Sequence, residues 1–460
     1  MRDDWFVAVA AAVLVVTVGT AVVAATNGLD DGDGTIDAWA PDLPDVHAVE
    51  APTEPGVATV GDREFASLEA ALEAVGPGDT IRLEGRFDER VTVETPGVTI
   101  EAVSANGAVI DGGGAGTVVT VVAENVTLDD VWIRNSGHER ASEDAGVLVQ
   151  GSGTTLTQVR LTEITFGVWI GEAEGVTVER STIVGRSDVG HPLRGNGIHL
   201  DRADGAVLRD NYVTTVRDGI YYSWSDGVVS ERNVLWDLRY GVHYMYSEDN
   251  RLVDNVAFDN DVGFALMVSS NLTIAHNVAV ANDGASGQGI LVKDVDDSVI
   301  RENAVVANGN GIYVYNAHGN AIEDNLVLEN AVGLHFTAGS TGERVTNNSF
   351  IGNAVPAHAS TNAQLHWNTS DRGNYWSAAR TVDVDGDGVS AVRYRPTGVA
   401  EALVHDRPQA AAFAESPAFD AVRLAESSFP VVEAPGVVDH RPLVDPPHED
   451  WREYYATHDH

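Results

Sequence analysis

Two methionines follow the first residue, Met245 and Met267, and the chain has no cysteine. They stand 22 residues apart, and His243 precedes Met245 by two positions. Two thioethers and an imidazole form a soft ligand set. In a chain without thiolates, this is the set that favours Cu(I) over harder divalent ions. The missing cysteines also exclude disulfides and thiolate metal sites. Methionine otherwise fills apolar gaps, so the set acts only if the fold brings it together. Tyr221, Trp224, Tyr240 and Tyr246 lie close by in sequence. Aromatic residues of this kind are enriched at docking surfaces. Packing between neighbouring turns is the competing reading.

A second, harder set sits further along. Asp383, Asp385 and Asp387 with Gly388 follow the run Gly373-Asn374-Tyr375-Trp376-Ser377. Alternating Asp with Gly at the sixth loop position (Gly388 follows Gly386 here) resembles the start of a calcium loop. Position 12 counted from Asp383 is Tyr394 rather than Glu, so the motif is incomplete. The competing reading is an acidic turn that caps a coil. His458 and His460 end the chain and read as a disordered tail. Asn125, Asn271, Asn347 and Asn368 lie in glycosylation sequons.

The element that must position the soft set is a repeat. Gly followed by an apolar residue recurs at Gly197, Gly219, Gly241, Gly263, Gly289, Gly311 and Gly333, with earlier units at Gly146 and Gly167. The usual step is 22 residues. Such a period means a solenoid. The positions one and three after each Gly are apolar or aromatic, from Val147 and Val149 through Leu334 and Phe336. That period of two identifies strands, so the coil is a parallel β-helix with both columns inward. The alternating positions, two and four after each Gly, then face outward. His243 falls in the first outward column and Met245 and Met267 in the second, on adjacent coils roughly 5 Å apart. An Asn recurs 14 residues after each Gly, from Asn211 to Asn347. It suits a corner, because Asn tolerates the left-handed conformation and its amide can bond the next coil. Extra residues around Ser187–Arg194, which include His191, and around Asp283–Gln288 read as walls for the patch or as plain loop variation. Glu64 to Val75 has helical spacing and is placed over the open N-terminal end.

Composition sets the surroundings. The 460 residues carry a net charge of −41, with Lys293 as the single lysine. This argues against nucleic acid as a partner and fits a protein from very salty surroundings. Trp5 to Ala25 is uncharged and long enough to span a bilayer. It reads as an export signal or an uncleaved anchor. The organisation read from the sequence is therefore 1–25 signal or anchor, 26–58 acidic flexible linker, 59–370 β-helix with its capping helix, and 371–460 C-terminal extension. In that extension Phe419, Val422, Ala425 and Phe429 have helical spacing.

The runs Arg217-Asp218-Gly219-Ile220-Tyr221-Tyr222-Ser223-Trp224-Ser225, Leu238-Arg239-Tyr240-Gly241-Val242-His243-Tyr244-Met245-Tyr246-Ser247 and Val262-Gly263-Phe264-Ala265-Leu266-Met267 resemble the NosD family. So do Arg194-Gly195-Asn196-Gly197-Ile198, Gly76-Pro77-Gly78-Asp79, and Phe429-Pro430-Val431 followed by Pro435 to Asp439. The resemblance spans roughly residues 60 to 446. It implies a right-handed parallel β-helix outside the cytoplasm that serves maturation of nitrous oxide reductase in denitrification. It implies as partners the permease NosY, the ATPase NosF, the copper chaperone NosL and the apo reductase. Carried over, His243, Met245 and Met267 are the positions expected to touch copper. The cargo is left open between copper, sulfur and both. Two other classes compete: a β-helix polysaccharide lyase or hydrolase, and an extracellular structural rod. The fold alone does not choose between them. A hydrolase needs two opposed carboxylic acids, whereas the outward columns offer Asp201 and, four coils on, Lys293.

Overall fold

A computed structural model describes residues 50–455 apart from 338, 362, 397–406, 414–415 and 429–435, together with positions 41, 43, 44 and 46. The segment Trp5–Ala25, most of the linker, Phe429 and the terminal pair His458 and His460 lie outside the described residues. No helix among the described residues is long and apolar enough to cross a membrane.

The chain winds as a parallel β-helix. One face is a twelve-stranded parallel sheet that runs from Val91–Val93 to Val355–Ala359. Its central strands are Phe166–Gly171, Ile198–Asp201, Asp218–Ser223, Tyr240–Met245, Val262–Ser270 and Gln288–Asp296. The other two faces of the coil are built from short strands joined at tight corners. All eighteen residues at the two inward columns are buried, from Val147 and Val149 at 0% exposure to Phe336 at 2%. Strand alternation sends these side chains into one continuous core.

The repeating glycines are dictated by close approach between coils, not by backbone conformation. A Cβ on Gly241 would lie 2.5 Å from the Gly263 carbonyl oxygen, and one on Gly219 would lie 2.5 Å from that of Gly241. Backbone cannot yield to such a clash without opening the coil.

The asparagine corner differs from expectation in two ways. The ladder residues Asn211, Asn233, Asn255, Asn277, Asn303 and Asn325 do not hold the left-handed conformation. The residues just before them do: Asp210, Arg232, Asp254, His276, Glu302 and Asp324 all have φ between 53° and 57°. The Asn side chains instead point into the coil and are buried. Each one gives its backbone N–H and its amide N–H to the Oδ1 of the Asn above, as Asn255 does to Asn277 at 2.9 and 3.0 Å. Amide pairing, rather than φ, selects Asn here. Second, the ladder continues through Asn348 and Asn374, not Asn347. That coil is one residue longer, so Asn347 moves into the left-handed position with φ 57°. A parallel second ladder, Asn260, Asn282, Asn308, Asn330 and Asn353, stands at another corner.

The ends are closed by different devices. At the N-terminus, Val57–Val60 pairs antiparallel with Thr80–Phe87 and so covers the first coil. The expected helix is short, Leu68–Leu72, and starts on Ser67, whose Oγ accepts from the Ala70 N–H at 3.2 Å. A strand, Arg63–Phe65, takes the residues before it. Leu68 and Ala71 pack into the core. At the C-terminus, a helix spans Pro417–Ser428. The chain then returns as Gly436–Val438, paired with Gln364–His366. The buried Asp439 accepts from Asn374 N–H at 2.7 Å and Trp376 Nε1–H at 2.9 Å, tying the return to the ladder's end. Trp451, Tyr454 and Tyr455 lie on an outer apolar stripe that includes Val306, Leu328 and Ile351.

Candidate functional site

The site grows from the outer face of the twelve-stranded sheet. Parallel register puts Trp169, His199, Tyr221 and His243 in one line on successive coils. Their rings touch in series. Trp169 and His199 stack at 3.8 Å, His199 meets Tyr221 at 4.8 Å, and Tyr221 meets His243 edge-on at 4.9 Å. Tyr240 closes on the other side of His243 at 4.9 Å.

This outer column is not an open surface. His243 is 8% exposed, Ala265 0% and Leu291 8%. The alternation argument is right about which side of the strand they leave. It cannot see that side chains and loops lie over them. The turn at Arg140–Ser142 and the insertion around His191–Leu193 meet above the Trp169 end, where Arg140 donates to the Pro192 carbonyl at 3.1 Å. The larger insertion braces that turn and itself lines a neighbouring cavity through Pro192, Leu193 and Arg194. The smaller one, near Gly284, bonds to Asp261 through the Ala285 N–H at 3.2 Å.

His243 is held by a carboxylate that sequence reasoning passed over. Asp218, 1% exposed, lies one coil below. Its Oδ2 is 3.1 Å from His243 Nδ1, and Arg239 binds both its oxygens, with Nε to Oδ1 at 2.8 Å. Burial works against the charge on Asp218. The hydrogen bonds from His243 and Arg239, together with the Arg239 cation, outweigh it and hold the carboxyl below its ordinary range. An ionised carboxylate only accepts hydrogen bonds, so Nδ1 carries a proton, and in the neutral ring Nε2 is the nitrogen with the free lone pair. That Nε2 is buried and has no hydrogen-bond partner among the described residues. Carboxylate to imidazole to metal is the arrangement that fixes a ligating tautomer and raises its basicity. The signal was in the sequence: Arg217 and Arg239 stand 22 residues apart, each two before a coil glycine, and Asp218 sits between Arg217 and Gly219.

The methionines sit one pleat further along the same face. Ser223 pairs with Met245, and Met267 pairs with Lys293. Their strands pair as far as His243 and Ala265, and each methionine follows its strand's residue there by two positions. Both are partly buried. Met267 also packs on a small apolar cluster of Val262, Ala265 and Leu291 that stands outside the coil's core. The strands therefore carry the two thioethers on adjacent coils of one face. His243 is on their face, but it also lines a separate cavity of about 410 Å³ with His199, Tyr221 and Arg217, and neither methionine lines that cavity.

The four aromatics divide into two pairs. Tyr221 and Tyr240 flank His243, as described. Trp224 and Tyr246 stack on each other at 4.7 Å and 8° at the edge of the sheet, 57% and 44% exposed. Both have positive φ, 51° and 55°, a conformation that costs a bulky residue roughly 1–2 kcal/mol.

The acidic loop is a compact exposed turn. The carboxylates of Asp383, Asp385 and Asp387 offer oxygens within 4.8 Å of one another. Asp383 already accepts from the Gly386 and Gly388 N–H groups at 2.7 and 3.1 Å, which hold it below the ordinary carboxylate range.

Comparison with known proteins adds a family. Residues 180–380 match the model of the periplasmic copper-binding protein NosD. The chain is 37% identical over 389 residues to a protein of Pseudomonas aeruginosa named as a probable ABC transporter binding protein NosD, covering 81% of this chain and 90% of that one. A protein of the same name from Stutzerimonas stutzeri is 34% identical over 382 residues, covering 79% and 86%. Among solved structures, the A-module of the Azotobacter vinelandii mannuronan C-5 epimerase AlgE6 is similar, with a TM-score of 0.52. It is 15% identical and covers 64% of this chain and 90% of that one. At that identity the likeness speaks to the β-helix alone.

Proposed function

The chain belongs to the NosD family, and from that premise we propose that it is an extracytoplasmic accessory protein that handles copper beside an ABC transporter. It has no catalytic role of its own in this reading. It accepts Cu(I) and presents it for the copper–sulfide cluster of nitrous oxide reductase. A permease and ATPase of the NosY and NosF type, a chaperone of the NosL type and the apo reductase are its partners. Sulfur as additional cargo is the second form of the same proposal.

One observation carries the copper assignment. Asp218 accepts the hydrogen bond from His243 Nδ1–H and so leaves the buried Nε2, in the neutral ring, as the free donor atom on the face that carries Met245 and Met267 on adjacent coils. Imidazole and thioether are suitable donors for Cu(I). Partial burial keeps water away, while the sheet's edge leaves the methionines within reach of a partner. Trp224 and Tyr246 supply the docking ledge beside them, with Tyr221 and Tyr240 as the wall behind. The acidic loop at Asp383, Asp385 and Asp387 is assigned no functional ion.

The test is an anaerobic Cu(I) titration against a chromophoric chelator. Wild-type protein is expected to take one tight equivalent, and the Met245→Ala, Met267→Ala double variant to lose it. Equal binding by both forms would refute the methionine assignment. Absence of binding in both would refute an autonomous site.

A further inference from the structure

We propose that the 410 Å³ cavity beside His199 is an anion site that takes a carboxylate-bearing ligand, with Arg217 as its principal contact. Its charge is the first reason. Arg140, Arg217 and Arg239 line the cavity against one lining carboxylate, Glu143, in a chain whose net charge is −41. Arg217 and Arg239 occupy equivalent positions on adjacent coils, and the Arg239 N–H bonds the Arg217 carbonyl at 2.8 Å. Their stems therefore run side by side at about one strand spacing, roughly 4.8 Å.

These cations are unequally matched. Arg239 is satisfied by both oxygens of Asp218. Arg140 donates to the Pro192 carbonyl. Arg217 makes no side-chain hydrogen bond or ion pair among the described residues, and its buried Nε lacks a partner. Burial, and after it the Arg239 charge, lower the pKa of Arg217. A partly buried guanidinium beside another cation, without an acceptor of its own, is costly. An anion bound there removes the cost, and the guanidinium fork matches a carboxylate with two parallel bonds.

The rest of the cavity fits a small organic anion better than a bare halide. Phe166, Trp169 and Tyr221 give it apolar walls. Asn196, 4% exposed, donates to His199 Nδ1 at 3.0 Å, and its Oδ1 is buried without a partner. That oxygen is an unused acceptor for a hydroxyl or N–H carried by the ligand. His199 is held neutral by burial, with its pKa pushed down to about 3. It therefore adds a stacking surface and no charge.

The carboxylate has two sources: a free small acid, or an Asp or Glu side chain of a protein docked on this face. Calorimetric titration of the full chain with succinate and with a hexaglutamate peptide separates them. The site predicts saturable one-to-one binding of at least one probe, weakened about tenfold or more in Arg217→Gln, since hydrogen bonds to charged groups are the strong ones. Arg82→Gln, on the exposed far coil, is the control and leaves binding unchanged. Arg217→Lys, which keeps the charge but not the fork, retains part of the affinity and guards against a folding defect. Succinate binding alone assigns a free acid, and peptide binding alone assigns a partner's side chain. No binding of either probe, or equal binding by wild type and Arg217→Gln, overturns the proposal. The copper assignment is read separately, because Arg217→Gln keeps His243, Met245 and Met267.

Discussion

The asparagine corner and the outer face of the twelve-stranded sheet share one period and one spacing, yet they are built on opposite rules. At the corner, each coil repeats one residue that bonds its own copy above, as in Asn233 to Asn255 to Asn277. On the outer face, the equivalent line reads Trp169, His199, Tyr221, His243, Ala265 and Leu291. A buried amide has one good solution in a stack of parallel strands: another amide. An outer position has no such constraint from the coil, so its residue types report what lies above the sheet. The comparison teaches that period gives placement, while departure from uniformity within a column marks where chemistry is to be sought.

The ladder can be broken most severely. Asn255→Leu strips the acceptor from Asn233 N–H and Nδ2 and the donor from the Ser230 carbonyl. Each buried group left unpaired costs about 1–3 kcal/mol, so the expected loss is on the order of 3–9 kcal/mol, read as a fall in the denaturant midpoint. A loss below 1 kcal/mol would show that the ladder is decorative.

On the outer face the same kind of change is expected to act on the ligand more than on the fold. Asp218→Asn keeps an oxygen for Arg239 but no longer holds His243 in one tautomer. Loss of such a support lowers metal affinity by roughly 10–100-fold. The chelator titration checks this, and unchanged Cu(I) affinity would detach His243 from the site.

One rung of the ladder system is an exception that sharpens the comparison. At a third corner, where Ser298 bonds up to Asn320, Glu343 takes the place of the next amide and accepts from Asn320 N–H and Nδ2 at 3.1 and 3.2 Å. Burial outweighs those bonds and pushes its pKa up from 4.5 to about 7. Between these values the folded chain holds a proton that the unfolded chain has lost. Stability therefore falls as pH rises from about 4.5 to 7 and is level above. Glu343→Gln is expected to flatten that decline, and thermal melts between pH 4.5 and 8 would reveal it. A decline of equal slope in both proteins would place its cause elsewhere.

The mildest change lies at the exposed pair. Trp224→Gly removes the stack on Tyr246, worth about 0.5–1.5 kcal/mol, and relieves the left-handed strain of roughly 1–2 kcal/mol. Stability is expected to stay within about 1 kcal/mol of wild type by these two figures. Capture of the transporter partner is expected to weaken all the same. Undiminished capture would remove the ledge from the docking surface.

Much of this was legible in the chain itself. The glycine period, the two inward columns and the placement of Met245 and Met267 on adjacent coils follow from counting, because a parallel coil repeats its geometry at every turn. The left-handed residues escaped that count. Asn is the occupant that propensity selects, but Asp254 and His276 take the strained backbone and leave the amide free to pair. The shift from Asn347 to Asn348 was hidden by a single inserted residue, which moves every later position by one. Asp218 and Arg239 were present in the runs that matched the family, and the Arg217–Arg239 repeat marked their place, but the contact with His243 depends on how the side chains of two coils pack.

The sequence by itself determined the solenoid, its register and the face on which the soft donors stand, because these depend on local alternation repeated at a fixed step. Tertiary structure alone decided that His243 is buried and oriented by Asp218, and that Arg217 faces a cavity lined in part by the Arg140–Glu143 turn far upstream in the chain. Those contacts join side chains from different coils and inserted loops, and their distances are set by how the coils stack rather than by any repeat along the chain.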